Sequence, residues 1–312
     1  MLKNLKLFIP LGAAALLLST SLFAEDQSHQ GQGQAIVTVL AKHGTEAPAT
    51  ISQQDLKLSV DGKQSTITNW VPLRGPQDPL ELVLLIDNSA RSSLGRQLND
   101  IADFIQSLPP NTRSTIAYMD YGRAVLSGPL SSDHAQVLHG LHLPAGFPGS
   151  SVYFSLSDLA KRWPSTDRTA RREVVMITDG IDDYDTRFDP ADPYVQAAIG
   201  DSVRAGLVVY SIYWHGPGVE AHISRSAGPS LLAQVSQATG GNSYWMGTNP
   251  VSFAPFFKDL SRRLQSQYKL SFDARLKGKP EIDNLKLKIN APGTEIDVPQ
   301  QVLVGPADTA LN

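Results

Sequence analysis

The sequence predicts an α/β domain, doubly wound around a mostly parallel sheet with helices on both faces, joined to a small β module contributed by its N- and C-terminal flanks. Three observations predict it. From residue 80 to about 267, short apolar runs alternate with helix-length segments, the pattern of strands joined by helical crossovers. The runs at 82–86 and 174–177 are apolar at every position, as in strands covered on both faces. On either side of that span, polar and apolar residues alternate with a period of two between turn residues.

Composition narrows the function before any motif is read. At 312 residues there is room for about two domains. Apolar residues make up 41% and charged residues 18%, a globular balance rather than a disordered one. Lys plus Arg is 27 against 30 Asp plus Glu, for a formal charge of −3. That lacks the basic excess of a nucleic-acid backbone binder. The absence of cysteine excludes disulfides, thiolate metal sites and cysteine nucleophiles.

Residues 1–24 read as a secretory leader. Lys3 and Lys6 precede an apolar run, Leu11 to Leu18, and small and polar residues lead to Ala24 before Glu25-Asp26. The apolar stretch is shorter than the ~20 residues of a spanning helix. The expectation is cleavage and export to the periplasm or the exterior, with no integral membrane segment in the mature chain. Residues 25–34, rich in Gly and Gln, read as a flexible tail. Residues 35–79 form an N-terminal β segment and linker, with Asp61-Gly62 as a hairpin turn and Arg74 to Pro79 as linker.

The α/β domain spans 80–267. Leu94, Leu98, Ile101, Ile105 and Leu108 recur at helical spacing until Pro109-Pro110 ends them. Tyr121-Gly122 turns a hairpin between 114–119 and 124–126. Helices are expected at 152–163, 194–205, 231–239 and 253–267, and strands at 174–178, 207–212 and 242–246. Residues 268–312 are a C-terminal β segment and tail, with strands at 268–272, 285–289 and 296–303.

Ligands of open parallel sheets bind outside the carboxyl ends of the strands. Three polar groups fall there: Asp87-Asn88-Ser89 after the first strand, Gly149-Ser150-Ser151 at a helix start, and Thr178-Asp179-Gly180 after the strand at 174–177. Two carboxylates with hydroxyls make an all-oxygen set, which suits Mg²⁺ with a coordination position open to a partner's acidic group.

In their order and spacing these residues resemble the von Willebrand factor type A domains over about 80–267. The resemblance implies a Rossmann-like fold and a metal-ion-dependent adhesion site of the pattern D-x-S-x-S, a distant Thr, then a distant Asp. The implied ligands are Asp87, Ser89, Ser151 in place of Thr, and Asp179. Arg91 stands where the pattern has its second serine. Either Ser92 substitutes for that ligand, or the Arg91 guanidinium pairs with Asp87 or Asp179 in place of the metal. Asp55 to Lys63, Tyr118 to Gly140, Gly240 to Tyr244 and Gln267 to Leu270 further resemble exported type A-related proteins common in Acidobacteria.

Other groups read more plainly. The acidic stretch Asp179, Asp182, Asp183, Asp185, Asp189 and Asp192 lacks calcium-hand spacing. It reads as a solvated loop, with Tyr184, Phe188 and Tyr194 as packing or interface residues. His139 and His142 have no further metal ligands near in sequence, and Trp214-His215 ends a strand. There is no nucleophile elbow, phosphate loop or dinucleotide fingerprint. The expectation is a non-enzymatic protein-binding module. The alternatives are a metal-independent envelope scaffold, or a phosphatase-like hydrolase using Asp87.

Overall fold

A computed structural model describes residues 29–42, 51–75, 77–90, 92–146, 151–182, 189–214, 224–246, 250–276 and 278–306. The leader segment 1–24, Arg91, Gly149, Ser150, Asp183, Tyr184, Asp185, Phe188 and His215 lie outside the described residues. In chain order the first elements are β1 (His29–Ala41), β2 (Leu56–Val60), β3 (Lys63–Gln64), β4 (Thr66–Pro72), β5 (Leu80–Asp87), α1 (Leu98–Ser107), β6 (Thr112–Asp120) and β7 (Arg123–Leu126). Next come α2 (His134–Leu138), α3 (Val152–Lys161), β8 (Arg171–Thr178), α4 (Pro193–Arg204), β9 (Leu207–Tyr213), α5 (Ser224–Thr239), β10 (Ser243–Tyr244) and α6 (Ala254–Leu264). The chain closes with β11 (Gln267–Leu276), β12 (Glu281–Ile289), β13 (Thr294–Asp297) and β14 (Gln301–Gly305). Among the described residues no helix is long and apolar enough to cross a membrane.

The central sheet has the order β10-β9-β8-β5-β6-β7. Its pairs are parallel except the last, β6 with β7, which is antiparallel. Every residue of β5 is buried, which explains the unbroken apolar run at 82–86, with the carboxylates of Glu81 and Asp87 buried on either side of it. Leu82, Leu84 and Ile86 pack toward Ile101, Phe104, Phe257 and Leu260 of α1 and α6. Val83 and Leu85, on the other side of the pleat, pack toward Leu156, Val195 and Leu232 of α3, α4 and α5. Tyr121 and Gly122 both take positive φ, 46° and 75°, the conformation of the tight primed turn that joins twisted strands. Before α1, Ser92–Gln97 forms a 3₁₀ segment rather than the helical turn expected from Leu94.

The two flanks form one sheet, ordered β3-β2-β12-β14-β1-β11-β4, with β13 also paired to β1. Strands β3 and β4 are consecutive in the chain yet lie at opposite ends of this order. The sheet therefore curls on itself around Val37, Val39, Leu58, Leu270, Phe272 and Val304. The turn at Asp61-Gly62 is present, with φ of 47° and 75°, but it returns only two residues, Lys63–Gln64, to β2.

Residues 29–34 are not part of a flexible tail: they are the first half of β1 and pair with β11 from His29↔Leu276 to Gln34↔Ser271. The glycines that suggest flexibility instead make room. A Cβ on Gly33 would sit 2.4 Å from Phe272 Cζ, and one on Gly31 would sit 2.9 Å from Val304 Cγ1. Phe272 is 1% exposed, so its ring lies on bare backbone, a recognised use of strand glycine. On the same strand Gln30 and Gln32 donate to the Asp273 carboxylate, at 2.9 and 3.3 Å.

The two sheets meet around an ionisable group that is out of water. Glu173 of β8 is fully buried, and neither carboxyl oxygen has a hydrogen-bond partner among the described residues. Burial pushes its pKa up to about 7, against the pull of the nearby Arg171 charge. Gln267 opens β11 and donates to the Tyr210 hydroxyl at 3.2 Å, so the same cluster joins the central sheet to the β module.

Two outcomes follow for stability. Because the unfolded chain releases the Glu173 proton from about pH 4.5 and the folded chain holds it to about 7, stability falls as pH rises through that window. The loss is on the order of 3 kcal/mol. Asp297 is also raised by burial, so the measurement is the difference between wild type and Glu173→Gln in urea titrations at pH 5 and 7.5. The variant is expected to gain relative stability at the higher pH. Gly33→Ala is expected to lower stability by about 1–3 kcal/mol through overpacking against Phe272, measured at one pH by the same titration.

Candidate functional site

The site begins with register. In the parallel ladder Ile86 of β5 faces Ile177 of β8, so the next residues, Asp87 and Thr178, are neighbours on the face that packs toward α3. Thr178 Oγ1 donates to Asp87 Oδ2 at 2.7 Å. Asp87 Oδ1 accepts from the Ser89 amide at 2.9 Å and from Ser89 Oγ at 2.7 Å. Asp87 is 1% exposed, and these three donors keep its buried charge hydrogen-bonded. Crossovers leave β5 and β8 in opposite directions along the sheet, which makes the gap between them the switch point where α/β sheets bind ligands.

Neighbouring segments are tied to this edge by backbone bonds. Asn88 holds the loop before α3, its Oδ1 accepting from Ala145 N at 2.8 Å and its carbonyl from Gly146 N at 2.9 Å. Ser151 is the N-cap residue of α3, yet its side chain makes no cap hydrogen bond. A serine in that position ordinarily gives its oxygen to the first helical turn. Two residues on, the Tyr153 hydroxyl donates to the Gly180 carbonyl at 2.8 Å. Burial first, then the charges of Asp179, Asp182 and Asp192, hold that hydroxyl's pKa well above its usual value, so it remains a donor. Thr178 Oγ1 also accepts from Gly180 N at 3.1 Å, and Asp179 Oδ1 accepts from Ile181 N at 3.0 Å. Gly228 of α5 approaches so closely that a Cβ there would lie 1.9 Å from the Asp179 carbonyl oxygen.

The structure thus brings Asp87, Ser89, Thr178 and Asp179 together, with the α3 N-terminus and Ser151 bound to the same turn through Tyr153. Among the described residues no three His, Asp or Glu side chains gather as a metal-binding group. A cation at this edge would therefore lean on hydroxyl oxygens beside the two carboxylates. Ser89 and the uncapped Ser151 are of the right chemistry for Mg²⁺. Arg91 lies outside the described residues, and Ser92 falls in the 3₁₀ segment.

Other sequence candidates have structural duties. Asp192 caps α4, accepting from Tyr194 N at 2.7 Å and Val195 N at 3.2 Å, and Asp189 accepts from Ala191 N at 2.8 Å. His142 stacks on Tyr118 with ring centroids 4.0 Å apart. Trp214 is buried edge-on to Phe253.

Of the apolar rim, sequence reasoning singled out only Tyr194. Eight large apolar side chains are exposed among the described residues. Seven of them, Tyr121, Leu143, Phe154, Tyr194, Trp245, Met246 and Val251, lie in loops or first helical turns at the carboxyl edge, while Val125 sits on the edge strand β7. Phe154 and Tyr194 touch with centroids 4.7 Å apart, and Gly122 lies under Phe154, 3.0 Å from its Cβ to a built Cβ. Phe154 and Tyr194 each sit in a first helical turn at this edge, the signal that was legible in sequence once α3 and α4 were assigned.

No protein-family model matches the chain, and no curated protein matches it. Solved structures similar to it include an aerotolerance-related membrane protein from Bacteroides fragilis carrying multiple mutations to serine. That match has 13% identity, 59% of this chain, 98% of the other and a TM-score of 0.43. The conserved hypothetical protein BatB from Bacteroides thetaiotaomicron aligns at 14% identity over 59% of this chain and 97% of its own, with a TM-score of 0.43. The pilus adhesin SpaC from Lactobacillus rhamnosus GG, in an open conformation, aligns at 10% identity over 86% of this chain and 50% of its own, with a TM-score of 0.45. The chain thus spans about half of that adhesin's length.

Thr178→Val tests the centre of the site. It removes the donor to Asp87 and the acceptor of the Gly180 amide while keeping volume. Leaving those buried groups unpaired is expected to cost about 1–3 kcal/mol in urea denaturation, with Thr178→Ser close to wild type.

Proposed function

We propose that this chain is an exported, non-enzymatic protein-binding module whose contact surface is the carboxyl edge of the central sheet. The observation that carries the reading is the coincidence of two features on that edge. Hydrogen-bonded carboxylates and hydroxyls lie at the switch point between β5 and β8, and exposed aromatic and aliphatic side chains surround them. Exposed apolar groups gathered in one region mark interaction surfaces, and aromatic residues supply much of the binding energy of protein interfaces. The leader-like residues 1–24 support export.

In this reading Asp87, Ser89, Ser151 and Asp179 hold a divalent cation, Mg²⁺ before Mn²⁺ or Ca²⁺. The cation supplies a positive point of attachment for an acidic side chain of the partner protein. Ser89 orients the Asp87 carboxylate, Thr178 neutralises part of its desolvation, and the Tyr153 hydroxyl fixes the Asp179-Gly180 turn. The resemblance to von Willebrand factor type A domains, and to their exported relatives common in Acidobacteria, agrees with this assignment.

A second reading has its own support. Both Asp87 oxygens are already hydrogen-bonded by protein donors, as suits a metal-independent scaffold in which Arg91 neutralises the aspartates. A phosphatase-like use of Asp87 draws less support, since a nucleophile needs an accessible oxygen and this residue is 1% exposed.

The test is the thermal midpoint of the mature protein after chelation, with Mg²⁺, Mn²⁺ or Ca²⁺ added back, beside Asp179→Ala. A cation at 100 times its Kd should add about 2.7 kcal/mol. A rise in midpoint that is lost in Asp179→Ala is the expected result. An unchanged midpoint with every cation, followed by a metal-dependent rise in Arg91→Ser, would favour the scaffold reading.

A further inference from the structure

The opposite end of the central sheet carries a second concavity, independent of the carboxyl edge. A cleft of about 720 Å³ opens where the amino ends of β8 and β9 and the end of α4 face the β module. That volume is within the ~300–1,000 Å³ typical of small-molecule sites. Its charge is one-sided: Arg168, Arg171, Arg172, Arg204 and Lys269 line it, against the single carboxylate of Asp78.

Several of these charges are already held by the protein. Arg172 Nη2 donates to the carbonyls of Ser165 and Asp167 at 3.3 and 3.0 Å, and its Nε lies 3.9 Å from Glu81. Arg204 pairs with Asp201 at 3.1 Å, and Asp78 accepts the Gly75 amide at 2.8 Å. Arg171 uses Nη1 on the Leu264 carbonyl, at 2.9 Å, and on Gln267 Oε1. Its Nε, however, is buried with no hydrogen-bond partner. Lys269 follows Gln267 by two residues on β11 and so shares its face, the face that meets Arg171. Among the described residues its ammonium has no hydrogen-bond or ion-pair partner.

The rest of the lining mixes polar residues, among them Gln34, Gln77, Gln301 and Thr239, with an apolar wall of Ile36, Leu73, Leu207 and Val302. Ile36 lies directly across the ladder from Lys269, which sets an apolar side chain beside the unpaired cation. An inorganic anion would satisfy the charges and leave this wall in water; an apolar neutral molecule would do the reverse and leave the Lys269 ammonium unpaired in a partly desolvated cleft. We propose that the cleft binds an amphiphilic carboxylate, its acidic head between Arg171 and Lys269 and its alkyl body against Ile36, Leu73 and Leu207.

The test is calorimetric titration of the full mature chain with dodecanoate below its aggregation concentration, beside acetate and dodecyltrimethylammonium. Dodecanoate is expected to bind one to one and at least tenfold more tightly than either control. Lys269→Glu and Lys269→Gln should each weaken it at least tenfold, while Lys269→Arg retains it. Lys269 is a half-buried strand residue, and an unchanged thermal midpoint confirms that each variant folds. Equal binding of the cationic detergent would overturn the proposal in favour of apolar adsorption. Acetate binding as tightly as dodecanoate, or full binding by folded Lys269→Glu, would overturn it as well.

Discussion

Everything at the carboxyl edge depends on the parallel register of β5 against β8. A strand buried on both faces has no solvent side to specify its register, so side-chain packing on each face must do so. Here Leu84 and Ile86 fill one face and Val83 and Leu85 the other, and Ile86 lies against Ile177. A slip of one residue would turn Asp87 from the α3 face into the α1 face and separate it from Thr178. The bond from Thr178 to Asp87 is thus a consequence of core packing and also a lock upon it. A buried carboxylate that lost its donors would destabilise the register that placed it there.

What could be read from the sequence follows from whether the cause was local. The run at 82–86, the helical stripe from Leu98 to Ile105 and the Asp61-Gly62 turn carry their causes within a few residues, and each element is present. That Asp87 and Thr178-Asp179 share one edge was legible because the ends of neighbouring parallel strands lie side by side. The glycines of β1 were misread because their cause, the Phe272 ring, is more than two hundred residues away. Equally, nothing near Ser65 says that the chain leaves β3 at one end of the curled sheet and starts β4 at the other. Most of the apolar rim was hidden for a related reason: Tyr121, Phe154 and Trp245 reach the edge beside Tyr194 from separate loops or helix starts, and only the topology assembles them.

The formal charge of −3 conceals a polar molecule. The site carboxylates gather at the carboxyl edge, while at the other end the basic groups that finish α3, α4 and α6, Lys161, Arg204, Arg262 and Arg263, pair with Asp201, Asp259 and Asp297. Helix dipoles account for part of that separation, since acids are favoured at helix starts and bases at helix ends. Asp192 and Arg204 at the two ends of α4 are an example. Each is engaged locally, the first by backbone amides and the second by Asp201.

Dipole compensation does not reach Lys269 or Arg171. Both belong to strands, on opposite sides of the boundary between the two sheets, and neither lies in the last turn of a helix. Arg171 has a reason to be there, since it ties β8 to Leu264 and Gln267 across that boundary beside the buried carboxyl of Glu173. With that carboxyl neutral below about pH 7, the local balance at the junction is positive. An added cation at position 269, facing the same side, makes the balance more positive still and has no ion-pair partner among the described residues. A surface under selection for stability alone would favour an acid or a neutral residue there, because like charges held together in partly desolvated surroundings repel. The positive balance is stabilising only when an external anion completes it, and the apolar wall beside it selects an anion with an alkyl body.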